Sequence, residues 1–277
     1  MSEKIDVVIC TLNSVETIKK CLESVFLEIP VNRIVVVDGG STDGTLEVLS
    51  NYPQIILYVK PELNLGESRA FAFTKVSTPW FALIDSDIEL LPGWFKAMEK
   101  DMVRGDLIEG GRIEILPFKN NNPRGRFLNS VNLIKTEAVK GVQLPCTILE
   151  DELTRRIAES RGYKIFRNGN LLALHRSDAV RYRGNPRYQP KIKRTQPLQL
   201  LKEVGRVDRL GGVKPVTAIA YFSCRIFKII SNGIWGTLIE CLKATYYLWG
   251  YFRTSSKPVT ENDYSLTLKQ RLERDYS

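Results

Sequence analysis

Histidine is nearly absent: the chain holds one, His175, among 277 residues. A lone histidine is more often structural than catalytic, so chemistry built on several histidines is excluded. The five cysteines, Cys10, Cys21, Cys146, Cys224 and Cys241, form no C-x-x-C pair. An odd, scattered set excludes a disulfide framework and points to reduced thiols in a cytoplasmic chain. No apolar run reaches the ~18 residues that a membrane-crossing helix needs. The longest uncharged stretch near the C-terminus, Ile229 to Ile239, is interrupted by Ser231, Asn232, Gly233 and Gly236. Low-complexity tracts and internal repeats are missing too. Met1 leads directly into "SEKIDVVIC", so no signal peptide is expected.

The chain is long enough for one large α/β domain or two small ones. Apolar content of 43% and charged content of 26% are ordinary for a globular protein. The net charge of +9 is unevenly spread. Residues 1–180 hold 22 basic and 24 acidic side chains, whereas residues 181–277 hold 18 and 7. The basic third should therefore have a polyanionic partner, nucleic acid or an anionic membrane.

Strand and helix signals alternate over the first hundred residues. "IDVVIC" (5–10), "RIVVVD" (33–38), "QIILYV" (54–59) and "WFALI" (80–84) read as strands. Helical spacing marks 15–26, 45–52 and about 67–75. Continuous apolar strands separated by amphipathic helices predict a parallel sheet covered on both faces. Ligands of such sheets bind at the carboxyl ends of the strands, where Asp38 and Asp85 stand. Beyond Trp94, "LIEGGRIEIL" (107–116) predicts a strand pair or bent strand. "EDELTRRIAESRG" (150–162) predicts a helix ending at Gly162, with short strands "YKIF" and "LLALH" after it. Residues 181–214 read as a basic linker or wrapping arm.

Four features can carry chemistry. In "VVVDGGSTDGT" (35–45), Asp38 ends a strand, the glycines allow a tight turn, and Ser41 or Thr42 can cap the next helix. The plain reading is a capped turn; the functional one has Asp38 accepting a hydrogen bond from a base or ribose. No G-x-G-x-x-G fingerprint supports a dinucleotide. In "DSDIE", Asp85 and Asp87 with Glu89 form either a solvated turn or a grip on a hard divalent cation that keeps positions for phosphate and water. In "LEDEL", Glu150 and Asp151 are either favourable acids in a first helical turn or a general base. His175 closes a short apolar strand, so its ring could emerge at an edge as a neutral metal ligand.

Taken together, these motifs resemble the family-two inverting glycosyltransferases, which have an α/β nucleotide-diphospho-sugar-binding fold of the GT-A type, implying a Rossmann-like, mostly parallel sheet flanked by helices. The resemblance runs over roughly residues 5–178. "CTLNSVETI" supplies Thr11, Asn13 and Glu16, and residues 36–45 match V-V-D-x-G-S-T-D-G-T, with Gly39 where the family often has a second aspartate. "NLGESR" (64–69), the D-x-D at Asp85 and Asp87, "EDELTRR" and "GYKIF…ALHR" follow in the family's order.

The resemblance implies that Thr11, Asn13, Glu16, Asp38, Arg69, Asp85 and Ser86 bind the nucleotide sugar. It implies a Mn²⁺ or Mg²⁺ held by Asp85, Asp87 and His175, with Glu89 able to complete the site. Asp151 would be the base, supported by Glu150. Lys135 stands where many relatives carry arginine, and its role is open. A nucleotidyltransferase on a related fold is disfavoured, because "CTLNSVET" offers no glycine and no basic residue to hold a triphosphate. A non-catalytic module on the same fold is the other alternative.

Residues 1–180 are thus expected to form the GT-A domain, with 1–104 binding the nucleotide sugar and 105–180 the acceptor. Residues 181–277 are expected to form a basic linker and an amphipathic helical extension. In 216–232, Val216, Ile219, Phe222, Ile226, Phe227 and Ile230 share one helical face; in 234–253, Trp235, Leu238, Leu242, Tyr246 and Trp249 share another. Such helices could pack on the domain or make a homodimer. With the basic charge, they favour an anionic membrane surface reached through 181–253. No nucleic-acid motif is present, so no nucleic acid is expected. The expected location is cytoplasmic, peripheral on the inner face of the cell membrane. The expected partners are a UDP- or GDP-sugar donor and a hydroxyl acceptor, a glycan or lipid-linked saccharide.

Overall fold

The computed structural model describes residues 3–110, 112–116, 131–144, 150–176, 245 and 247–252. The expected linker and the helix over 216–232 lie outside the described residues. Of the helix over 234–253, residues 247–252 are helical and bury Tyr247 and Tyr251. Among the described residues, no helix is long and apolar enough to cross a membrane.

Elements alternate as the periodicity predicts: β1 (Ile5–Thr11), α1 (Val15–Glu28), β2 (Val31–Asp38), α2 (Thr45–Ser50), β3 (Ile55–Val59), α3 (Leu65–Phe73) and β4 (Trp80–Ile84). Next come β5 (Ile88–Leu90), α4 (Trp94–Lys100), β6 (Leu107–Glu109), β7 (Arg112–Leu116), β8 (Val131–Lys135) and α5 (Thr136–Val139). The series ends with α6 (Glu150–Ser160), β9 (Ile165–Arg167) and β10 (Leu171–Arg176).

All seven residues of β1 are buried, because the strand is central and covered on both faces. Alternation sends Val7 and Ile9 to one face, into a core with residues of α1, α2 and α4. Val8 and Cys10 point to the other, into a core with residues of α3, α5 and α6. Each such buried aliphatic side chain contributes about 1.5–3 kcal/mol relative to exposure.

The large sheet has the order β3-β2-β1-β4-β8-β6-β9. It is mostly parallel, as expected, with β8 running antiparallel to both β4 and β6. Apolar periodicity reports burial and not strand direction, so the reversal was invisible in the sequence. A second sheet, β5-β10-β7, stands apart. The expected bent strand over 107–116 therefore changes sheets between β6 and β7. Gly110 marks the step: its N–H donates to Val131 O at 2.6 Å, and a Cβ there would lie 2.0 Å from that oxygen. The chain turns at Gly162, at φ 88°, two residues beyond the end of α6.

Candidate active site

The carboxyl ends of β1, β2 and β4 converge, as a parallel sheet requires. Their loops are knitted by short polar side chains. Gly40 and Ser41 donate backbone N–H groups to Asp38 Oδ1 at 2.8 and 2.7 Å, and the Ser41 hydroxyl donates to Oδ2. Asp38 has no exposed surface. Its carboxylate is hydrogen-bonded within its own turn. Ser41, committed to Asp38, does not cap α2. Asp43 does the equivalent work: Oδ1 accepts from the Thr45 N–H and hydroxyl, and Oδ2 accepts from Val15 N–H at 3.0 Å.

Asn13 sits in the left-handed region at φ 49°. Its Oδ1 accepts from Thr42 N–H at 2.9 Å, and its own N–H donates to Ser41 Oγ at 2.8 Å. Asn13 therefore fixes the two loops against each other. The Thr11 hydroxyl donates to Ser14 Oγ, whose oxygen lies 3.1 Å from Ser86 Oγ. Thr11 and Ser86 are buried, and Glu16 is exposed in the first turn of α1.

The two aspartates of the D-x-D diverge. Asp85 Oδ1 accepts from Arg69 Nη2 at 2.8 Å. Asp87 Oδ2 lies 3.5 Å from His175 Nε2 on β10. Arg69 is 1% exposed and lies inside a cluster, not on an open cleft wall. Besides Asp85, its Nη1 meets Glu150 Oε1 at 3.3 Å and Asp151 Oδ1. Burial opposes the guanidinium charge, but Asp85 and Glu150 outweigh it and raise the Arg69 pKa. One cation thus joins α3, the end of β4 and the first turn of α6. Cys10 lies under this cluster; burial pushes its thiol up to about 12, with Arg69 pulling down and Asp85 and Glu150 pushing up.

Asp87 and His175 suit a hard divalent cation. They offer an anionic oxygen and an imidazole nitrogen, and His175 Nδ1 is buried with no hydrogen-bond partner among the described residues. Among those residues no three histidine, cysteine, aspartate or glutamate side chains gather as a ready metal cage. Two protein donors are what a cation shared with substrate phosphates uses. Glu89 is not brought to them. It pairs with Leu174 across the β5–β10 ladder, while His175 pairs with Ile88. Side chains alternate along a strand, so Glu89 projects from the face opposite His175. Lys135 lies far from the site, at the amino end of β4 opposite Trp80, where Nζ meets Asp106 Oδ1 at 3.0 Å.

Sequence reasoning passed over Glu109 and Asn132, which face each other across β6 and β8 and are 3% and 5% exposed. Their signal was a polar residue inside each of two apolar runs, "LIEGG" and "VNLIK".

The sequence profile of Glycosyl transferase family 2 matches residues 6–159, more than half the chain. The lipopolysaccharide core biosynthesis glycosyltransferase LpsC of Rhizobium meliloti (strain 1021) is 33% identical over 116 residues. That match covers 40% of this chain and 41% of LpsC. The fold resembles S. aureus TarS residues 1–349 in complex with UDP-GlcNAc, with a TM-score of 0.56 at 16% identity over 91% of this chain and 74% of the other. It also resembles the mannosyltransferase PcManGT from Pyrobaculum calidifontis in complex with GDP-Man and Mn²⁺, with a TM-score of 0.54 at 14% identity over 90% and 72%. The sheet order, the loops at its carboxyl edge and the matched profile agree: the fold is of the GT-A type, and the chain belongs to the family 2 glycosyl transferases.

Proposed function

We propose that the protein is a metal-dependent inverting glycosyltransferase. It takes a sugar from a UDP- or GDP-sugar and joins it to a hydroxyl of a glycan or lipid-linked saccharide. The observation that carries this reading is the juxtaposition of a pair and a cluster on either side of one D-x-D: Asp87 with His175, and Asp85 and Asp151 joined by Arg69. PcManGT, similar in fold, is in complex with GDP-Man and Mn²⁺, which supports the reading.

In this reading Asp87 and His175 would hold Mn²⁺ or Mg²⁺ beside the bound donor. The cation, when bound, neutralises charge that develops on the leaving diphosphate. The loops of Thr11, Asn13 and Ser86 shape the nucleotide pocket, and Asp85 stands at its edge. Arg69 holds Asp151 in one orientation, with Glu150 sharing the same guanidinium. Asp151 takes the proton of the acceptor hydroxyl. The acceptor oxygen attacks the anomeric carbon from the face opposite the diphosphate. The carbon–oxygen bond to the phosphate breaks, and its electron pair leaves with the nucleoside diphosphate. A single displacement of this kind inverts the anomeric centre.

Residues 1–104 then serve the donor and 105–180 the acceptor. The basic, apolar-striped segment 181–253 docks the enzyme on an anionic membrane at the cytoplasmic face, where a lipid-linked acceptor is met. The test is nucleoside diphosphate release from UDP-N-acetylglucosamine and GDP-mannose with Mn²⁺ or with chelator. Asp87→Ala should abolish release, and unchanged release in excess chelator would remove the metal from the account. Asp151→Asn should lower transfer by about 10²–10⁴-fold, the usual contribution of a general base, while nucleotide binding persists.

A further inference from the structure

Behind Asp151 lies a cavity of about 10 Å³ between the first turns of α6 and the sheet. Leu83, Glu109 and Asn132 line it from the sheet, and Asp151, Thr154 and Arg155 from the helix. A buried cavity of this size holds about one water molecule, given two or more polar partners. Glu109 provides the strongest demand. Its Oε2 accepts from Arg167 Nε, but Oε1 is buried with no hydrogen-bond partner among the described residues. A carboxylate oxygen can only accept, so the partner it lacks is an O–H or N–H donor. Leaving such an atom unsatisfied costs free energy, whereas a water would satisfy it and have a second hydrogen to give.

We infer that this cavity holds one structural water that donates to both Glu109 and Asp151, which makes Glu109 a positioning residue for the base. The inference rests on the reading of Asp151 as the base. Arg69 holds the Asp151 carboxylate from α3, and the water holds it from the sheet side. Other charges face Asp151 as well: Asp85 from the end of β4, with Glu150 and Arg155 on α6 itself. Arg155 is engaged by Glu152 and Glu159. Glu109 adds a negative charge on the far side, partly offset by the half-exposed Arg167 and by Arg155, which also feels its charge. That charge makes Asp151 hold a proton more readily, which is what a base must do during transfer.

The test uses the full chain with ¹³C-labelled carboxylates, and the Asp151 resonance is assigned by its loss in Asp151→Asn. Glu109→Gln keeps the shape and removes the charge, so the Asp151 titration midpoint should fall by about one unit. Arg167→Met, at a half-exposed position, leaves Glu109 uncompensated and should move the midpoint up; it decides the matter if Glu109→Gln does not fold. The Thr154 methyl should show a nuclear Overhauser effect to a long-lived water. A midpoint unmoved in both variants, or a Thr154 methyl with no water contact, overturns the inference. If Asp151→Asn transfers sugar normally, it is the base reading that fails; if it is inactive while Glu109 leaves the midpoint alone, only the water site fails.

Discussion

Arg69→Met is the most informative single perturbation of the site. The guanidinium is 1% exposed and faces Asp85, Glu150 and Asp151. Removing one partner of a buried ion pair typically costs about 3–5 kcal/mol, because the remaining charge is left uncompensated. Here three carboxylates lose their shared cation. Two of them are partly hydrated, with Asp85 and Asp151 side chains 24% and 27% exposed, so the lower end of that range applies. A loss of about 3 kcal/mol is a large share of a typical domain's stability. With an ordinary urea dependence, it lowers the denaturation midpoint by about 1–2 M. Arg69→Lys restores the charge but not the fork that reaches three partners, so it should recover only part. Urea titrations at pH 7 measure both effects. A change for Arg69→Met within about 0.5 kcal/mol of wild type would falsify the cluster as a structural element.

Asp6, fully buried in β1, accepts from Asn32, Arg33 and the N–H and hydroxyl of Ser77. Burial pushes its pKa up, but these donors outweigh it and the net shift is downward. Its stabilisation is therefore present above the ordinary carboxylate value and lost as pH falls through the lowered one. Asp6→Asn should destabilise at pH 7 and flatten the acid limb of a melting-temperature profile; parallel profiles for the two proteins refute this. Gly110→Ala should force β6 from β8 and cost about 1–3 kcal/mol, because the new Cβ overlaps Val131 O; an unchanged urea midpoint contradicts it. Cys10, with its thiol pushed up to about 12 by burial, should resist thiol reagents at pH 8 until the chain unfolds. Rapid native labelling of Cys10, identified by mass spectrometry, counts against the buried position. The full chain should sediment with anionic liposomes at low salt and be released by high salt or by truncation near Leu210; a chain that ignores liposomes at low salt removes the membrane proposal.

The donor half of the fold was legible because its strands are long, β-branched and separated by amphipathic helices. β1, β2 and β4 differ from their expected bounds by two residues at most. The acceptor half was legible in part: the helix expected over 150–162 is α6, and the short strands expected after it are β9 and β10. β5, near the end of the donor half, is three residues long, too short for a period to declare itself, and β8 gains its place from cross-strand burial rather than from any turn signal. The candidate site was partly legible. Residue spacing singled out Asp85, Asp87, Glu150, Asp151 and His175, yet spacing cannot say which way a side chain faces. Only the fold separates Asp85, turned to Arg69, from Asp87, turned to His175. The same limit hid that Asp38 serves its own turn and that Glu89 lies on the wrong face. Glu109 was visible as a charge within an apolar run, but its partner Arg167 is 58 residues away in the chain.

The central claim is that Asp87 and His175 bind a nucleoside diphosphate through a shared divalent cation. Calorimetric titration of the full chain with UDP and with GDP, each with Mn²⁺ and with chelator, tests it most directly. The account predicts saturable binding of one of the two nucleotides in Mn²⁺, lost in chelator and lost in Asp87→Ala. Equal binding with and without the metal, or no binding of either nucleotide, would contradict it.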